Sequence, residues 1–163
     1  MNNNIRYATF SDLNRITDIY NWAVENTTAS FDINCQTLEQ RAEWFANHDE
    51  RHPIIVCEIE GNVVGYASLS EYRTKEGYKS TCELSVYIDP KYHNKGIGKK
   101  LMVQIINLGK EIGFHVIISG ICADNKVCIN LHERLGFVLC GHMKEVGFKF
   151  GIYLDCLFYQ LFI

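Results

Sequence analysis

Apolar and polar positions alternate from Cys82 through Leu84, Val86 and Ile88, with Glu83, Ser85 and Tyr87 between them. That period of two predicts a strand with two different faces. Pro90 has no N–H for a ladder, so the strand ends before it. From Ile97 onward the period changes: Leu101, Ile105 and Leu108 recur at helical spacing, with Met102 and Ile106 beside them. This predicts a helix opening near Gly96 and running to about residue 112, with Gly113 as its stop.

The same reading extends to the rest of the chain. Residues 5–9 form a first strand, and 12–25 a helix with Leu13, Ile16, Ile19, Tyr20 and Ala23 as its apolar stripe and Ser11 as its N-cap. Thr37-Leu38-Glu39-Gln40 carries a capping-box signature and opens a second helix to about residue 47. Strands follow at 54–60 and 63–70, joined by a Gly61-Asn62 turn, and residues 73–79 read as a polar loop. The run 116–121 lacks alternation, as expected of a strand buried on both faces. A helix at 125–135 ends at Gly136, and 137–142 and 153–162 are the last strands. The order predicts a single α/β domain over residues 1–163, with a mixed central sheet and helices over its faces.

Composition narrows the class. With 163 residues, 47% hydrophobic and 21% charged, the chain has the balance of one globular domain. A net charge of −3 argues against a general nucleic-acid surface. Met1-Asn2-Asn3-Asn4 leads into Ile5 without an apolar leader, and no apolar run approaches a membrane span, so a cytoplasmic protein without a membrane partner is expected. The seven cysteines include no Cys-x-x-Cys pair, and His48 and His52 lack the Glu of a metalloprotease helix. Core packing of the cysteines and no metal site are expected.

The chemistry concentrates where strand gives way to helix. A helix beginning at Gly96 directs free N–H groups and a partial positive charge into the preceding loop, an arrangement suited to a pyrophosphate. Lys91, Lys95, Lys99 and Lys100 crowd the same segment. The loop is not a Walker A motif, because Lys100 follows Gly98-Lys99 where Ser or Thr is required. Nor is it a dinucleotide fingerprint, since Leu101 stands in place of the third small residue. His93-Asn94-Lys95-Gly96-Ile97-Gly98 resembles the coenzyme A loop of the GNAT N-acetyltransferases, with His93 in place of the usual Gln or Arg.

The element order resembles the GNAT fold from end to end. Thr28-Ala29-Ser30-Phe31-Asp32, Glu83-Leu84-Ser85-Val86-Tyr87-Ile88, His132-Glu133-Arg134-Leu135-Gly136-Phe137 and Gly147-Phe148-Lys149-Phe150-Gly151 are similar to the phosphinothricin and methionine sulfone acetyltransferase branch. The resemblance implies an acetyl-CoA-dependent enzyme that acetylates the amino group of a small amino-acid-like compound, working as a homodimer. The donor is expected at Asn94, Lys95, Gly96, Ile97, Gly98 and Lys99, along Val86, Tyr87 and Ile88, and at Asn125.

An acid inside an otherwise uncharged strand makes Glu83 the candidate general base, against the alternative of a surface or ion-paired Glu. The resemblance favours the base. Asn125 is equally placed to be an N-cap. His132 stands where many relatives carry a Tyr acid, although a lone helix His is more often structural. Arg73, Lys75 and Tyr78 precede Glu83, match positions that grip the acidic group of the acceptor, and could equally form a solvated loop. Phe31 would wall the acceptor pocket, and Phe150 and Leu154, replacing family histidines, would make it more apolar. Acetylation of a protein or peptide, and acyl-CoA sensing without turnover, are the alternatives.

Overall fold

The computed structural model describes residues 3–163; Met1 and Asn2, at the start of the N-terminal segment read above, lie outside the described residues. Its strands are β1 (Asn3–Tyr7), β2 (Ile54–Ile59), β3 (Asn62–Glu71), β4 (Thr81–Ile88), β5 (Val116–Cys122), β6 (Val138–Lys149) and β7 (Ile152–Phe162). The helices are α1 (Leu13–Asn26), α2 (Leu38–Ala46), α3 (Ile97–Ile112) and α4 (Lys126–Arg134). They build a seven-stranded mixed sheet in the order β1-β2-β3-β4-β5-β7-β6, with only β4 and β5 parallel.

Alternation decides which helices cover which face. Cys57, Ala67, Leu69, Cys82 and Leu84 point to one side and pack against Ile97, Leu101, Met102 and Ile105 of α3. Ile54, Val56, Val63 and Tyr66 point to the other and meet Ile16 and Ile19 of α1. Glu83, Ser85 and Tyr87 therefore share the α1–α2 face, across from Ser70, Ser68 and Tyr66 of β3. No helix among the described residues is long and apolar enough to cross a membrane.

Several local expectations need correction. Ser11 does not cap α1; it lies in a 3-10 turn (Phe10–Asp12), and the Asp12 carboxylate accepts from the Thr9 N–H at 2.8 Å. A carboxylate three residues on from Thr9 reaches back better than a neighbouring hydroxyl. The first hairpin turns at Glu60 and Gly61, both with positive φ, rather than at Gly61-Asn62. β6 continues to Lys149 because register shifts after Leu139 and Met143 break the alternation on which the sequence reading relied. The 73–79 loop contains a 3-10 turn (Glu76–Tyr78). Cys57, Cys82 and Cys122 are buried, but Cys35 and Cys140 are exposed.

Candidate active site

The parallel ladder between β4 and β5 holds for only three pairs, Thr81–Val116, Cys82–Ile117 and Glu83–Ile118. Beyond it β4 stays paired to β3 and β5 to β7, so the two strands part like a fork. The opening holds a cavity of about 70 Å³, lined by Leu84, Ser85, Val86 and Tyr87 on one side and Ser119, Gly120 and Ile121 on the other. Ala29, Cys122, Asn125, Cys128 and His132 complete the wall. Strand edges left without a partner present backbone groups to whatever enters.

Glu83 sits at the base of the fork, half-buried, and has no hydrogen-bond or ion-pair partner among the described residues. Burial alone raises its carboxyl above the ordinary range. Asn125 is both an N-cap and part of the cavity wall: its Oδ1 accepts from the Cys128 N–H at 3.2 Å. His132, only 2% exposed, donates from Nδ1 to the Cys128 carbonyl at 2.8 Å. Its Nε2 lies 3.0 Å from Ser119 Oγ and, in the neutral ring, accepts that hydroxyl's proton. Burial lowers its pKa, so acting as an acid toward the fork would require a second proton against that tendency.

The loop before α3 has the geometry that suits an anion. Asn94 and Gly96 both have positive φ, which turns the chain sharply into the helix. The first helical bond runs from Lys100 N–H to Gly96 O at 3.2 Å, leaving the amides of Ile97, Gly98 and Lys99 pointing outward. Gly98 stands close to the end of β4 and to α4: a Cβ there would lie 3.9 Å from Ile88 and 3.6 Å from Leu131. Lys95 and Lys99 are exposed, with Lys95 over the Tyr92 ring at 4.7 Å. His93 turns away and donates to the Ile88 carbonyl at 3.0 Å. The free amides, the cations and the unpaired strand edges fit a pyrophosphate followed by an amide-bearing arm.

On the α1–α2 face, Arg41 is 3% exposed and stacks over Trp44 at 3.7 Å and Tyr20 at 4.4 Å. It donates to the Tyr66 hydroxyl at 3.2 Å, and the Tyr66 ring stacks on Tyr87 at 5.5 Å. This ordered stack fixes the β4 side of the fork. The segment after α1 is pinned over it: Thr28 bonds Asp124 at 2.7 Å, and Lys149 Nζ donates to the Ser30 carbonyl at 2.7 Å.

Phe31 is partly exposed and lies under the β6–β7 hairpin. Arg73 and Tyr78 stack on one another beside Tyr72, exposed, on the loop leading into β4, and Lys75 precedes the 3-10 turn there. These three stand at the other end of Glu83 from the fork, and none of them lines its cavity. Phe150 occupies the exposed hairpin tip with φ 52° and Leu154 is buried, so neither lines the fork. Sequence reasoning missed Ser119, Gly147 and Lys149, the last two visible only inside a segment quoted for resemblance.

A parallel pair parted beside an anion-binding helix start, with a lone carboxylate at the junction, is the architecture of an acyl-CoA N-acyltransferase. Residues 16–137 match the acetyltransferase (GNAT) family. A Pseudomonas paraeruginosa protein described as an L-methionine sulfoximine/L-methionine sulfone acetyltransferase is 41% identical over 99% of this chain and 95% of its own. A Brucella melitensis crystal structure described as ribosomal-protein-alanine N-acetyltransferase superposes with a TM-score of 0.95 at 43% identity, covering 98% and 99% of the two chains. A Sinorhizobium meliloti phosphinothricin acetyltransferase in complex with acetyl-CoA gives 0.96 at 34% identity, covering 100% and 89%. The chain belongs to the GNAT acetyltransferase family and is an acetyl-CoA-dependent acyltransferase.

Proposed function

We propose that the enzyme acetylates the α-amino group of a small amino-acid-like acceptor, of the methionine sulfone, methionine sulfoximine or phosphinothricin type, with Glu83 as general base. The observation that carries this reading is Glu83 itself, half-buried and unpartnered where the strands part. Acetyl-CoA supplies the acetyl thioester. The amides of Ile97, Gly98 and Lys99, with Asn94, Lys95 and Gly96, hold its pyrophosphate. Backbone groups of Val86, Tyr87 and Ile88 pair with its arm, and Asn125 closes the other side.

Glu83 takes the proton that the attacking amine must lose, directly or through one water, and its raised pKa makes it a better base than an exposed carboxylate. His132 holds the Ser119 hydroxyl at the opposite wall, and the departing thiolate takes its proton from solvent. Arg73 and Lys75 hold the acceptor's acidic group from the loop, and Phe31 and Tyr78 bound its side chain.

The hairpin seated on Phe31 and the Lys149–Ser30 bond narrow the acceptor side, which supports a small acceptor over a peptide. The Brucella description favours a second reading, acetylation of a protein N-terminus. A homodimer through the exposed β6 face, where Leu139, Met143 and Phe148 are uncovered, completes the reading and is tested by sedimentation. Thiol release from acetyl-CoA, measured with methionine sulfone, phosphinothricin and an alanine-initiated peptide, separates the readings. Turnover of the sulfone and not the peptide supports the first; the reverse supports the second.

A further inference from the structure

As the base, Glu83 must hand on the proton it receives before the next turnover. Ser70 is its direct cross-strand neighbour, with both side chains on the α1–α2 face. Opposed Cβ atoms in an antiparallel pair lie about 4.5–5.5 Å apart, within the reach of one Glu rotamer. The carboxylate and hydroxyl are not bonded to one another at rest. Ser70 Oγ instead lies 3.0 Å from His48 Nε2.

The direction of that bond is set at the far side of the ring. His48 Nδ1 lies 2.7 Å from the Trp44 carbonyl, which only accepts, so Nδ1 carries the proton. Neutral Nε2 therefore accepts from the Ser70 hydroxyl, leaving the Oγ lone pairs open toward β4. His48 lines a second cavity, about 600 Å³, on the side of the molecule bounded by Tyr7, Phe45, Asp49, Glu50 and His52.

We propose that Ser70 and His48 form the proton exit of Glu83. This rests on Glu83 being the base. Protonated Glu83 turns to Ser70 and gives its proton to Oγ as the Ser70 proton passes to His48 Nε2. The O–H bond of Glu83 breaks, an N–H bond forms on His48, and Ser70 ends as it began with a different proton. A water entering from the cavity that His48 lines then displaces Ser70 from Nε2 and takes the new proton, while the ring goes on donating from Nδ1 to Trp44.

The groups facing His48 suit a brief visit of charge. Burial lowers the His48 pKa and is the largest influence; the Trp44 carbonyl and Asp49 favour the imidazolium, whereas His52 and Arg41 oppose it. Burial moves Glu83 upward, so the two groups approach one another in proton affinity. Both residues act through Glu83 and touch neither substrate.

Steady-state kinetics of the full chain with acetyl-CoA and L-methionine sulfone test the proposal. Ser70→Ala and His48→Gln should each lower kcat by about tenfold, below the 10²–10⁴ of a base itself because water substitutes in part. The KM for acetyl-CoA should not move. Ser70→Thr, which keeps the hydroxyl, should restore kcat, and added imidazole should rescue His48→Ala in proportion to its free base. Protonating His48 removes the acceptor, so wild-type kcat falls as pH falls, and His48→Gln should lose that component. If Ser70→Ala, folded by circular dichroism, keeps wild-type kcat and pH profile, the exit is not here. An inactive Glu83→Gln beside such a Ser70→Ala would spare the base and sink the exit alone. An active Glu83→Gln would remove both.

Discussion

Gly147 presses its backbone against the ring of Phe31: a Cβ there would lie 2.5 Å from Cε2 and 2.7 Å from Cδ2. No side chain fits unless the ring leaves. The β6–β7 hairpin and the loop after α1 are thereby registered to one another at a single point, and Lys149 locks the same contact two residues on.

Gly147→Ala should therefore displace Phe31 and loosen the acceptor side. We expect a rise in acceptor KM of about tenfold, little change in the KM for acetyl-CoA, and a stability loss of about 1–3 kcal/mol from overpacking. Kinetics with methionine sulfone and a urea melt check both. A variant with unchanged acceptor KM would show that Phe31 does not bound the acceptor.

Glu83→Gln should lower kcat by about 10²–10⁴-fold, the range for a positioned acid–base group. Burial holds the Glu83 carboxyl above the usual range, so wild-type kcat/KM should fall as pH drops through that raised value. Its stability effect is opposite to that of a paired carboxylate. The folded state is penalised at higher pH, and the penalty fades as pH falls through the raised folded pKa. Glu83→Gln should consequently melt no lower than wild type at neutral pH; a clear drop in Tm would mean the carboxylate has a stabilising partner.

Gly96→Ala places a side chain at φ 75° in open space, so its cost is conformational rather than steric. The expected loss is about 1 kcal/mol of stability, with a several-fold weaker Kd for coenzyme A as the outward amides shift. Titration calorimetry reads the second effect; an unchanged Kd would locate the pyrophosphate elsewhere.

Arg6 joins β1 to two carboxylates, Asp12 at 2.7 Å and Glu58 at 2.8 Å, and Asp12 is almost fully buried. The Arg6 hydrogen bond is the largest influence holding Asp12 below its ordinary range, against the opposing effect of burial. The stability it gives is present above the unfolded Asp pKa and lost as pH falls through the lowered folded value. Arg6→Met should cost about 1–3 kcal/mol at neutral pH and flatten the acid side of the stability curve. Urea melts from pH 3 to 7 compare the slopes; identical slopes would show that the pair contributes nothing.

The element order along the chain and the α3 loop were legible because their signals are local and periodic, whereas the strand order in the sheet was not. Leu84, Val86 and Ile88 define β4, the glycines define the loop, and Gly113 stops the helix in the left-handed conformation, φ 91°. β6 was half lost because its register shifts scramble the inward–outward alternation. Glu83 could be named as an unusual acid in a strand, but not its lack of a partner, which depends on residues far along the chain. Ser119 beside His132, Ser70 beside His48 and Gly147 against Phe31 are juxtapositions of distant segments with no short-range signature. Arg73 and Lys75 were legible as a basic loop, whereas their exposure at the opposite end of Glu83 from the fork was not.

Three residue pairs between β4 and β5 are all that stitch the two halves of the sheet through its middle. Each half is otherwise a self-contained antiparallel unit with its own hairpins. The weakest seam in the backbone thus runs through the place where the reactants meet. A donor lying along both parted edges is then a splice as well as a reagent. The enzyme in its resting state should breathe along this line, with those amides of residues 84–88 and 119–122 that face the fork exchanging early, and become one cooperative body when loaded.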